Sequence, residues 1–138
     1  MVLLPIGEHR VSTAICYEVV YPALMRDAVQ QGSELLTTIT NDGWYGYSSA
    51  PYQHFALASM RAIEEGRYLA RAANTGISGI VDPYGRVTQQ SGIFEQATLV
   101  GDVRFLTVRT IYSVIGDAIA FAAIAVTLAA WLLVRKRS

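Results

Sequence analysis

The chain has 138 residues, and its 11 Lys+Arg balance 11 Asp+Glu to give a formal net charge of zero. That balance excludes the basic footprint of a nucleic-acid binder, and the length suits a single domain. Hydrophobic residues make up 52% of the chain, and the excess over a soluble domain lies in one run near the C-terminus.

Residues 11–16 (Val-Ser-Thr-Ala-Ile-Cys) are short, apolar or β-branched and predict a buried strand. Cys16 falls at its end. Pro22, suited to a first helical turn, opens a helix over 22–31, with Gly32 just past it. Residues 35–40 (Leu-Leu-Thr-Thr-Ile-Thr) predict a second strand, so the two strands form a parallel βαβ pair. The loop 41–46 leaves the carboxyl end of that strand, the edge where open α/β sheets bind ligands, on the same side as Cys16. Asn41, Trp44 and Tyr45 in this loop are candidate substrate-binding residues. Ser49 is placed to cap a helix over 51–71. On it, Arg61, Glu64, Glu65 and Arg67 read as a solvated, ion-pairing face, and His54 as a surface or internally satisfied histidine. A strand at 77–81, a tight turn at 82–85, a hairpin partner at 86–88 and a last strand at 98–103 complete the domain.

Cys16 is the one cysteine. At a strand-to-helix turn a thiol faces a pocket and backbone N–H groups, which activates it as a nucleophile. The other reading of a free cysteine is a small buried hydrophobe. It has no partner for an internal disulfide, and an unpaired thiol in an extracytoplasmic compartment marks reactivity.

Residues 114–134 are apolar except for Asp117 near their start. At about 1.5 Å per residue they are long enough to cross a hydrocarbon core of about 30 Å. Arg135, Lys136 and Arg137 follow at once, and Trp131 sits at interface depth. Basic residues beside a span mark the cytoplasmic side, which puts residues 1–110 across the membrane. The expected organisation is a folded part at 1–110, a transmembrane helix at 111–134 and a basic cytoplasmic tail at 135–138. The opening residues lack the regions of a signal peptide, and one C-terminal span does not export what precedes it. The chain therefore reads as the C-terminal part of a longer protein.

Six stretches carry a resemblance. They are Ile15-Cys16-Tyr17-Glu18, residues 40–46, Gln53-His54, residues 60–67, residues 71–76 and Asp82-Pro83-Tyr84-Gly85. In this order they resemble the nitrilase (carbon–nitrogen hydrolase) superfamily. A terminal span entered through Thr110-Ile111-Tyr112 and Gly116-Asp117 resembles its membrane-anchored branch, the apolipoprotein N-acyltransferases. The resemblance covers nearly all of residues 7–137.

It implies an α/β fold, a partial nitrilase-like α-β-β-α sandwich followed by one C-terminal transmembrane helix, with a Glu-Lys-Cys triad at the carboxyl ends of the strands. Cys16 matches the nucleophile. The Tyr17 backbone N–H is placed to help hold the oxyanion, and Glu18 matches a supporting carboxylate. The implied reaction moves an acyl chain from phospholipid, through a cysteine thioester, to the N-terminal amine of a diacylglyceryl-cysteine lipoprotein. It needs no metal or other cofactor. The implied partners are a phospholipid donor, a lipoprotein acceptor and the membrane, with no nucleic acid. The implied location is the bacterial inner membrane, with the folded part periplasmic. The triad's Glu and Lys have no match here. Lys136, the one lysine, follows the span, and Glu8 stands only eight residues before Cys16. The isolated chain is therefore expected to be inactive. Two other readings are a membrane-tethered amidase, with water replacing the amine, and a non-catalytic remnant.

Overall fold

The computed structural model describes residues 1–136. Six strands form one mixed sheet in the order β1-β2-β3-β4-β5-β6. They are β1 (Leu3–Ile6), β2 (His9–Ile15), β3 (Leu35–Asn41), β4 (Leu69–Asn74), β5 (Gly79–Val81) and β6 (Val87–Gln90). β2, β3 and β4 run parallel, and the outer pairs are antiparallel. Helices α1 (Pro22–Gln30) and α2 (Ala50–Glu65) supply the parallel crossovers.

Strand register explains what each face buries. Ser12, Leu36 and Leu69 stand in one row, and Ala14, Thr38 and Arg71 in the next. All six are buried beneath the helices, whose Met25, Val29, Phe55, Ala58 and Ala62 join them in the core. Neighbouring rows point the other way, because side chains alternate along a strand. Ile15 and Ile39 pair on that second face and remain 61% and 51% exposed. A cavity of about 470 Å³ lies there, lined by Thr37, Ile39, Ala70, Ala72 and Leu99. One face of the sheet is therefore helix-covered and the other is largely open.

The predicted βαβ unit is present, and four expectations are corrected. Strand β1 is additional to the predicted strands. The helix expected over 51–71 stops at Glu65, because Gly66 adopts a left-handed φ of +61° and its N–H closes the last turn on the Ile63 carbonyl. Residues 69–74 are then released to form β4. No strand forms at 98–103: Gly101 lies against the side chains of Ile80 and Gln89, so the segment crosses the sheet instead of extending it. Arg61, Glu65 and Arg67 are not solvated but at most 3% exposed. The Arg61 Nη1 donates to the Val20 carbonyl, and the Arg67 Nε to that of Ser33. In addition, Ser49 precedes α2 without a side-chain capping bond.

The C-terminal apolar run is two helices. α3 (Ile111–Ile115) is capped by Thr110, whose Oγ1 accepts from the Ser113 N–H at 2.9 Å and donates to the Glu64 carbonyl. Arg26 of α1 donates to the carbonyls of Ser113 and Val114. Gly116, at φ +55°, ends α3. α4 (Ala118–Arg135) follows, long and apolar enough to cross a membrane and buried nowhere along its length. Of the expected basic tail, Arg137 and Ser138 lie outside the described residues.

Candidate active site

Strand β2 delivers Cys16 to the carboxyl edge of the sheet, and a short 3₁₀ turn, Cys16–Val20, starts at once. Cys16 is half-buried with φ +54°. A non-glycine residue held there costs about 1–3 kcal/mol, and such residues gather at functional sites. Thr75 and Phe94 are the other two among the described residues. Thr75 follows β4 at the same edge, and its carbonyl accepts from the Phe94 N–H. The Glu18 Oε2 accepts from the Ile15 N–H at 2.7 Å, which ties the turn back onto the strand end. Tyr17 is the second residue of that turn, and the first N–H groups of a helical turn have no acceptor within it.

Beside this elbow lies a buried polar network. The Asp42 Oδ2 accepts from the Arg71 Nη2 at 2.7 Å, and its Oδ1 pairs with the His54 Nδ1 at 2.9 Å and accepts from the Thr40 hydroxyl at 3.0 Å. The Arg71 Nε donates to the Ile77 carbonyl at 3.0 Å. Asp42, His54 and Arg71 are each at most 4% exposed. With Asp42 ionised, His54 donates from Nδ1, and its Nε2 is buried without a hydrogen-bond partner. The His54 ring packs 5.8 Å from Tyr17 and 6.1 Å, edge-on, from Tyr45 (centroid distances).

These groups share one electrostatic neighbourhood. Burial pushes the Tyr45 phenol above its usual pKa, and negative charge at Asp42, Cys16 and Tyr17 adds to that, opposed by Arg71. Burial lowers the Arg71 guanidinium, while Asp42, Cys16 and Tyr45 act to keep it charged. The site thus holds a fixed buried cation within electrostatic reach of the thiol.

The structure brings Cys16, Tyr17, Glu18 and Tyr45 together and places Asn41 and Trp44 on the adjoining loop. Asn41 spends its side chain on the loop, its Oδ1 accepting from the Gly43 N–H and the Asn74 amide. Trp44 projects into solvent, 87% exposed. Glu8 lies in the turn before β2, at the opposite end of that strand from Cys16. Lys136 follows α4. Sequence reasoning missed Asp42 and Arg71 and left His54 outside the site. The useful signal was Gly66, which stops the helix and leaves the alternating Leu69-Ala70-Arg71-Ala72 as a strand whose arginine points inward.

The Carbon-nitrogen hydrolase family matches residues 1–112. An apolipoprotein N-acyltransferase of Geobacter metallireducens is 43% identical over 122 residues, which is 88% of this chain and 23% of that protein. One from Azotobacter vinelandii is 41% identical over 99% of this chain and 26% of its own length. The chain thus spans about a quarter of these relatives. Among solved structures, an amidase from Nesterenkonia sp. is 28% identical with a TM-score of 0.54, over 66% of this chain and 36% of that one. Another form of it carries acrylamide on its active-site cysteine, with the same TM-score of 0.54 and 28% identity, over 66% of this chain and 38% of that one. A match through residue 112, joined to a mixed sheet whose strand β2 runs into a left-handed cysteine, fixes the lineage: the chain belongs to the carbon–nitrogen hydrolase family.

Proposed function

We propose that these residues form the C-terminal part of an apolipoprotein N-acyltransferase. The Cys16 thiolate attacks an ester carbonyl of a phospholipid, the ester C–O bond breaks, and the lysophospholipid leaves as an alcohol after taking a proton. The α-amino group of a diacylglyceryl-cysteine lipoprotein then attacks the thioester. The C–S bond breaks, an amide forms, the amine proton is lost and the thiolate is restored. Splitting the transfer in this way replaces one hard step by two easier ones. The Tyr17 N–H helps hold each oxyanion, Glu18 holds the elbow, and the loop of Asn41, Trp44 and Tyr45 meets substrate. The triad's Glu and Lys come from the remainder of the polypeptide.

In this reading residues 1–110 are the periplasmic part, 111–134 the membrane span and 135–138 the cytoplasmic tail, in a bacterial inner membrane. The observation that carries the reading is the strained cysteine elbow in a chain whose relatives at 41–43% identity are named apolipoprotein N-acyltransferase. The likeness to an amidase favours a second reading, hydrolysis with water as acceptor.

The test is mass spectrometry of the peptide holding Cys16 after incubation of the complete polypeptide with phospholipid. An acyl adduct that persists without acceptor and disappears with lipoprotein supports the transfer. Loss of the adduct to water at the same rate favours hydrolysis, and no adduct at all rejects both.

A further inference from the structure

We infer that His54 is the positioning residue of the cysteine elbow: held by Asp42, its imidazole fixes the rings of Tyr17 and Tyr45 and so fixes the backbone N–H that follows Cys16. The inference rests on Cys16 as the nucleophile. His54 is 3% exposed, on the first half of α2, and reaches the carboxyl edge of the sheet from beneath. Its orientation is set by the bond to Asp42, and Asp42 is itself set by Arg71 and by the Asn74 carbonyl, which accepts its N–H. Arg71 is anchored to the Ile77 carbonyl. The imidazole is thus immobilised through three elements, β3, β4 and α2.

Tyr17, by contrast, is 49% exposed, and its ring touches Tyr21 and His54 edge-on or tilted. A half-exposed ring does not hold its own backbone. Cys16 is strained at φ +54° and relaxes unless its neighbours over-determine it. The His54 ring is the buried, immobile surface against which Tyr17 rests, and Tyr45 rests on it too. A misplacement of about 1 Å at a reacting centre costs on the order of 10²-fold in rate, so a ring that contacts no substrate still controls the transfer.

The experiment is a double-mutant cycle on Cys16 acylation in the complete polypeptide. His54→Asn keeps an N–H for Asp42 and removes the ring; Tyr17→Leu removes the ring that His54 steadies. Each single variant is expected to lower the maximal acylation rate at least tenfold with the half-saturating phospholipid concentration unchanged. The double variant is expected to lose no more than the worse single one, because the two act as a unit. Additive losses in folded proteins, an unchanged rate in His54→Asn, or a defect confined to half-saturation overturns the inference. If His54→Asn does not accumulate, His54→Gln takes its place in the same cycle and is read by the same criteria. Alkylation of Cys16 by iodoacetamide is followed in the same proteins. If it shows the coupled losses while no lipid thioester forms, the positioning role stands and acyl transfer falls. If lipid thioester forms at a rate indifferent to His54, acyl transfer stands and the positioning role falls.

Discussion

Gly76 faces the Asp42 carboxylate so closely that a Cβ on it would stand 2.3 Å from Oδ2 and 2.7 Å from the Asp42 Cβ. The glycine after β4 is therefore a condition for the Asp42–Arg71 ion pair, and through it for the seat of His54. Gly76→Ala should force the carboxylate out of this pose. Overpacking of this kind typically costs about 1–3 kcal/mol. The expected outcome is a lower unfolding midpoint together with slower Cys16 alkylation. An unchanged midpoint and alkylation rate would show that the loop yields without disturbing Asp42.

Glu65 predicts a pH dependence. It is fully buried, neither carboxylate oxygen has a hydrogen-bond partner, and its pKa is raised from 4.5 to about 7. Burial is the main cause and the neighbouring Glu64 adds to it, while Arg26, Arg67 and Arg61 oppose it. A carboxyl raised on folding binds its proton more tightly in the native state. Its penalty is absent below pH 4.5, grows as pH rises, and is complete above about 7. At about 1.4 kcal/mol per pKa unit the loss is on the order of 3 kcal/mol. Glu65→Gln should raise the thermal midpoint by several degrees at pH 8 and leave it nearly unchanged at pH 4.5. Equal effects at both pH values would contradict the buried carboxylate.

Cys16 and Glu18 should separate by severity. Cys16→Ala should abolish both half-reactions, and Cys16→Ser should be nearly as inactive, since a hydroxyl ionises far less readily than a thiol. Glu18→Gln keeps an acceptor for the Ile15 N–H and loses the charge-assisted part of that bond. Its expected effect is a fall of roughly threefold to tenfold in acylation rate, in line with the typical worth of such a bond. Full activity in Cys16→Ala removes the nucleophile assignment.

Membrane orientation has a direct test. Tyr84 is 75% exposed in the turn between β5 and β6. Tyr84→Cys in a Cys16→Ala background should add a site for a membrane-impermeant thiol reagent in intact cells whose outer membrane admits it. Labelling at that site only after the inner membrane is broken would reverse the proposed topology.

The sequence made the site's centre legible and hid its surroundings, for physical reasons. The strand that ends at Cys16 and the following βαβ turn are local patterns of burial and proline placement, and both stand. The Asp42–His54–Arg71 network depends on β4 lying beside β3, a contact between residues 29 positions apart that no local pattern encodes. Arg61, Glu64, Glu65 and Arg67 have the spacing of a solvated helix face. Arg61, Glu65 and Arg67 are nonetheless buried and Glu64 is partly covered: α3 and the segment before it fold back over the end of α2, where the Arg67 Nη1 donates to the Val108 carbonyl. Spacing records which side chains share a face and says nothing of what later covers it.

Arg26 gives α3 a fixed seat, and only Gly116 and Asp117 separate that seat from α4. With α4 in a bilayer, two residues at full extension allow about 7 Å of slack. The folded part is then leashed to the lipid plane and samples the bulk phase hardly at all. For the proposed transfer, encounters with lipid-borne molecules would then be collisions within a surface, and throughput would follow how densely donors and acceptors crowd the membrane and not how much of either the compartment contains.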